Sequence, residues 1–168
     1  MKVNNFNEDL KFSEQAGHED FWQVIYKKAF PDIVFAQICT GKCAGQYLGI
    51  DRVIQLKSGK TLYIDEKKRR TEYNDIALEF ISNDQTNTRG WIEKDLLIDY
   101  LAYAFISSKR CYLFPWHLLI RAWNHYKADW HKKYRLIEAQ NPGYKTLSRA
   151  IPINILLSSV RNASIIEL

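Results

Sequence analysis

The chain has 168 residues, enough for one domain around one hydrophobic core and too short to expect two. Hydrophobic residues make up 46% of it and aromatic residues 14%, which excludes a disordered chain, and no run approaches the ~20 apolar residues of a membrane span. The formal net charge of +5 suits a polyanion, because each Lys or Arg laid on a phosphate releases condensed counterions.

In chain order, MKVNNFNEDL contains no apolar signal core, and Cys39, Cys43 and Cys111 are an odd number of thiols. Together these point to a reducing, cytoplasmic setting. Cys39 and Cys43 have no second Cys or His pair at zinc spacing, and His125 with His131 is a weak spacing for a shared ion, so structural zinc is not expected. Residues Ser13 to Phe30 predict a helix: Trp22, Ile25 and Ala29 recur at helical spacing and Phe21 and Val24 widen the stripe. Pro31 ends it by pushing the preceding residue out of the helical region. Ile33–Cys39 alternates like a strand, and Thr40-Gly41-Lys42 follows as a turn.

Two apolar-rich runs, Ile50–Leu56 and Thr61–Lys67, flank Lys57-Ser58-Gly59-Lys60 and predict a hairpin. Asp75–Ser82 predicts another strand and Asn83–Gly90 a polar loop. Leu97–Ile106 fits either a strand, from Tyr100, Tyr103 and Phe105, or a helical stripe; a hairpin with Cys111–Phe114 favours strand. Pro115 opens a helix with Leu119, Trp123, Tyr126 and Trp130 on its inner face. Asn141-Pro142-Gly143 is a turn, Lys145–Ile153 a strand, and the tail from Asn154 a short helix. The expected fold class is therefore α/β or α+β, one mixed sheet flanked by helices within a single domain spanning 1–168.

Aspartate is depleted in strands, yet Asp51 follows Gly49-Ile50 at the head of one run and Asp65 closes Leu62-Tyr63-Ile64 in the next. Lys67 stands two residues on, and residues two apart in a strand share a face. Two carboxylates and a lysine are a minimal set for phosphodiester hydrolysis. The carboxylates can hold a hard cation on the phosphate, and the ammonium can orient the attacking water. Register decides whether they meet. A two-residue Ser58-Gly59 loop sets Asp51 opposite Glu66, whereas a three-residue loop or a bulge sets it on the face of Asp65 and Lys67. Glu66 with Lys68 is the second choice, and Asp65 with Lys67 is favoured because it directly follows the apolar run.

Asp51 followed by Asp65-Glu66-Lys67 resembles the signature of PD-(D/E)XK, or restriction-endonuclease-like, nucleases. The order of a leading helix, a strand with the first Asp and a hairpin to the Asp-x-Lys strand is similar to that family over roughly 13–82, with Gly45-Gln46-x-x-Gly49-Ile50-Asp51 similar to phage-type and resolvase-like members. Residue 50 is Ile where the family name has Pro. The resemblance implies a restriction-endonuclease-like fold and Mg²⁺, with Mn²⁺ as substitute, on Asp51, Asp65 and the Glu66 carbonyl. It further implies Lys67 on the nucleophilic water and a helix glutamate in the site, Glu19 before Glu14. Glu79 is a minor candidate that could instead pair with Arg69 or Arg70 across the sheet.

Basic residues cluster twice. Residues 57–72 include Lys57, Lys60, Lys67, Lys68, Arg69 and Arg70, and residues 109–135 hold seven Lys and Arg against Asp129 alone. Lys68, Arg69, Arg70, Arg121, Lys132 and Lys133 are the candidate phosphate contacts, which would position DNA without reading its sequence. The function expected is DNA phosphodiester hydrolysis, with a homodimer suited to cutting two strands. The alternative is a non-cleaving DNA-binding or protein-interaction module on the same fold.

Overall fold

The computed structural model describes residues 17–39 and 48–168. Glu14, Cys43, the Thr40-Gly41-Lys42 turn and Gly45-Gln46 lie outside them. The described elements are α1 (Gly17–Ala29), β1 (Ile33–Ile38), β2 (Arg52–Leu56), β3 (Thr61–Arg69), β4 (Asp75–Asn83), β5 (Thr88–Arg89), β6 (Tyr100–Phe105), β7 (Arg110–Pro115), α2 (Trp116–Lys133), β8 (Leu136–Asn141), β9 (Tyr144–Pro152), α3 (Ile153–Ser159) and β10 (Ser164–Glu167). The class is α+β. The strands form two sheets rather than the one expected, with orders β1-β2-β3-β6-β7-β10 and β5-β4-β9-β8. β4 pairs antiparallel with β9 over Asp75↔Pro152 to Ile81↔Leu147 instead of extending the hairpin sheet. Short β8 and β10 carried too little periodicity to read from sequence. Two compact units result: among the described residues, 17–39, 48–72, 96–118 and 160–168 carry the six-stranded sheet, and 73–95 and 119–159 the four-stranded one.

In the six-stranded unit, α1 starts with Glu19 and Asp20 and ends with Lys27 and Lys28, charges that complement its dipole. It buries Phe21, Trp22, Ile25 and Tyr26 against Ile54, Leu62, Ile64, Ala102, Ala104, Cys111 and Leu113. Val24, placed in the apolar stripe by spacing, is exposed, and Tyr26 takes its place inside, stacked on Trp22. β6 runs parallel to β3, Asp65↔Leu101 and Lys67↔Tyr103. Both faces of β6 and β7 are buried, which removes the polar alternation and explains why 97–106, favoured as strand, also fits a helical stripe.

The β2–β3 turn fixes the register. The Gly59 N–H donates to Leu56 O and the Leu56 N–H to Lys60 O, closing a three-residue loop, Lys57-Ser58-Gly59. Gly59 has φ +83°, the left-handed position such loops require. Gly59→Ala is expected to cost about 1–2 kcal/mol in urea unfolding, the penalty of a Cβ in that conformation.

In the four-stranded unit, Trp123 is fully buried and donates its indole N–H to a Glu93 carboxylate oxygen at 2.8 Å. Leu119, Ala122 and Trp130 share its face, while Tyr126, expected inside, is exposed and stacks flat on Trp130. Gly90 is packed so closely that a Cβ there would come 2.3 Å from the Glu79 carbonyl oxygen. Glu79, on β4, and Arg69, on β3, belong to different sheets, so they are not cross-strand neighbours.

Candidate active site

The three-residue loop sets Arg52↔Ile64, Val53↔Tyr63 and Ile54↔Leu62. Continued by one step, the Asp51 N–H donates to Ile64 O at 2.9 Å. Asp51 therefore stands on the face of Tyr63, Asp65 and Lys67, while Arg52, Ile54, Leu62, Ile64 and Glu66 point to the other face, toward α1. Asp51 Oδ2 accepts the Glu66 backbone N–H at 2.8 Å. Lys67 Nζ lies 2.5 Å from Asp65 Oδ1. Asp65 is buried, and its Oδ2 has no hydrogen-bond partner.

Burial, the dominant cause, pushes the Asp65 carboxyl up to about 6; the Asp51 charge pushes the same way and Lys67 pulls against it. The register makes Asp51 and Asp65 cross-strand neighbours on one face of the hairpin. A hydrogen bond between them exists only when one is protonated; with both ionised, Asp65 Oδ2 is left unpartnered beside a like charge. A cation of hard character would relieve both defects at once. Mg²⁺ asks for few protein ligands and keeps several waters, so two carboxylates and the Glu66 carbonyl are a sufficient set. Among the described residues no three His, Cys, Asp or Glu side chains group around one point. These hard oxygen donors are of the kind that Mg²⁺ or Mn²⁺ takes, with water completing the shell.

The other candidates lie on the α1 side. Glu19 does not join Asp51 and Asp65: both its oxygens accept from Arg52, Nη1 and Nη2 each at 2.9 Å. The Arg52 hydrogen bond, together with its charge, holds the Glu19 carboxyl below its usual range, against some burial. The Glu66 carboxylate accepts Arg52 Nε at 2.5 Å and Tyr26 O–H at 2.8 Å. Burial raises the Glu66 carboxyl, opposed by Arg52. Burial works against the charge on Arg52 as well, but the bonds to Glu19 and Glu66 outweigh it and hold the guanidinium firmly ionised. Lys68 is half-buried among these groups, and burial lowers its pKa. The Glu66 and Lys68 side chains therefore face α1, away from Asp51.

Arg52 is what the sequence reasoning missed. A signal was present: Arg52 and Glu66 each share strand parity with inward aliphatics, Ile54 and the partly buried Leu56 in one run and Leu62 and Ile64 in the other. That places opposite charges together on an inward face.

Of the phosphate-contact candidates, Arg69 is partly buried and Arg70 is exposed at the β3 end. Arg121, Lys132 and Lys133 are exposed on α2, the lysines in its last turn. Arg110, in the same basic cluster, is engaged by Glu72 and Glu167. A cavity of about 440 Å³ in the four-stranded unit is lined by Phe80, Arg89, Ile92, Glu93 and Asn124 among others, and by none of Asp51, Asp65 or Lys67. Comparison of the chain with protein-family models, curated proteins and solved structures gives no match. No described helix is long and apolar enough to cross a membrane.

Proposed function

We propose that the chain is a metal-dependent nuclease of the restriction-endonuclease-like class acting on DNA. The observation that carries this reading is the hairpin register, which sets Asp51 beside Asp65 with Lys67 on the Asp65 oxygen. Asp51, Asp65 and the Glu66 carbonyl would hold Mg²⁺, or Mn²⁺ in its place. The ion, when bound, supplies positive charge on the scissile phosphate and an acidified water. Lys67, with its ammonium on Asp65 and about one-third exposed, can swing to the attacking water or to a non-bridging oxygen. Glu19, bound to Arg52, would belong to the support behind the site and not to the site itself.

The test is plasmid relaxation with Mg²⁺, with Mn²⁺ and with EDTA. Loss of supercoil with either metal and none with EDTA is the expected result, and binding without cutting in all three sinks the enzyme. That second outcome is the non-cleaving module, a reading favoured by the lack of a third acidic side chain at the site among the described residues. Size-exclusion chromatography with light scattering tests the proposed homodimer.

The basic face of α2 is proposed to track phosphates. Replacing Arg121, Lys132 and Lys133 together by Ala is expected to weaken binding similarly across DNA sequences. It should also flatten the slope of log K against log salt by about 2–3, near 0.9 per lost phosphate contact. Fluorescence anisotropy at several salt concentrations measures it, and an unchanged slope removes α2 from the interface.

A further inference from the structure

Directly behind the two aspartates, on the α1 side of the sheet, sits a cluster the catalytic reading does not use. Arg52 is almost fully excluded from water, the side chain being 1% exposed. Each of its three guanidinium nitrogens donates, Nη1 and Nη2 to Glu19 and Nε to Glu66, and the cation lies 5.3 Å over the Tyr26 ring. Glu66 is fixed in turn by the Tyr26 hydroxyl. A buried ion cluster of this kind is not a cheap source of stability, since well-packed apolar side chains of similar size do as well. Its placement gives it another use. Arg52 is the residue after Asp51, and Glu66 is the residue after Asp65. The Glu66 peptide N–H is the donor on Asp51 Oδ2, and the Glu66 carbonyl is the backbone ligand in the nuclease reading. One side-chain bond on the inner face therefore ties together the two backbone positions that aim both carboxylates on the outer face.

We infer that Arg52 is a positioning residue of the site, acting through Glu66 and anchored by Glu19 and Tyr26, and that it sets the affinity for the divalent cation. The inference rests on the nuclease reading. With Arg52 in place, the Glu66 peptide stays pinned and Asp51 is held against Asp65 despite their repulsion. Without it, the peptide is released and the carboxylates separate. Partners that orient metal ligands typically cost about 10–100-fold in metal affinity or activity when changed.

The experiment measures Mn²⁺ binding by titration calorimetry, and cleavage as a function of Mn²⁺, for wild type, Arg52→Lys, Glu66→Gln and Glu19→Gln, with urea unfolding of each. Arg52→Lys keeps the charge and loses the forked geometry; it is expected to weaken Mn²⁺ binding about 10–100-fold, with cleavage recovered at high Mn²⁺. A merely structural role would move the urea midpoint and leave the Mn²⁺ midpoint where it was. Glu66→Gln is expected to act in the same direction, and Glu19→Gln less than Arg52→Lys. Folded Arg52→Lys and Glu66→Gln with wild-type Mn²⁺ affinity overturn the inference. So does Glu19→Gln exceeding Arg52→Lys, because Glu19 would then be a ligand itself. Should the two central variants fail to fold, Tyr26→Phe, which removes one hydroxyl from Glu66, decides in the same terms. Wild-type protein that neither binds Mn²⁺ nor cuts overturns the nuclease reading and this inference with it; wild type that binds and cuts beside unaffected variants overturns the inference alone.

Discussion

Asp65→Asn is expected to abolish metal-dependent cleavage and, in the same protein, to raise the melting temperature measured in EDTA at pH 7.5. The two effects share one cause. A buried carboxylate with an unpartnered oxygen beside a second carboxylate costs the metal-free fold roughly 1–3 kcal/mol. An Asn amide of the same shape turns one of those oxygens into an N–H donor toward Asp51. Lys67 keeps an amide oxygen in place of the carboxylate oxygen and, being partly exposed, retains access to water. For a chain of this size about 1 kcal/mol moves the melting temperature by roughly 2–4 °C, so a rise of several degrees is expected. Cleavage should fall to background, and Lys67→Ala should lose about 10²–10³-fold, the scale of removing one preorganised charge at a transition state. A residue placed for stability behaves in the opposite way. If Asp65→Asn melts lower than wild type in EDTA, the aspartate is structural and the proposed chemistry is wrong.

The sequence carried the pieces of this site better than their assembly. Aspartates inside apolar, β-branched runs are rare enough to single out Asp51 and Asp65, and Lys67 follows from the period of two. Whether they met could not be read, because a slip of one residue sends every side chain to the opposite face, and Ser58-Gly59 suits two loop lengths. Gly59, with its positive φ, settles it by terminating a three-residue loop. The helix glutamate follows only from the family resemblance, and a carboxylate near a helix end reads the same whether it serves a metal or a guanidinium. Its partner, Arg52, is legible only once burial is known. The division of the strands into two sheets had no local signal at all: Asp75–Ser82 looks the same whether it pairs with the hairpin or with β9, a choice made by contacts distant in sequence.

Across the window set by Asp65, metal-free stability and metal affinity should run in opposite directions. Its carboxyl titrates near 6 in the folded chain against an ordinary value of 3.8. Between those values the folded state binds more protons than the unfolded one, so this group lowers stability as pH rises from about 4 to about 6, and the loss persists above. Glu66 is raised by burial and adds to the same trend. A cation needs Asp65 ionised, so below about 6 each unit of acid should weaken Mg²⁺ binding about tenfold, making the dissociation constant at pH 5 about tenfold larger than at pH 7. Melting curves taken with EDTA and with Mg²⁺ from pH 5 to pH 8 read both effects. The EDTA curve should fall, and the gap that Mg²⁺ opens above it should widen. Asp65→Asn should retain the Glu66 part of the fall and show no widening. A Mg²⁺ gap that is constant with pH in wild type would mean that the cation, if it binds, does so away from Asp65.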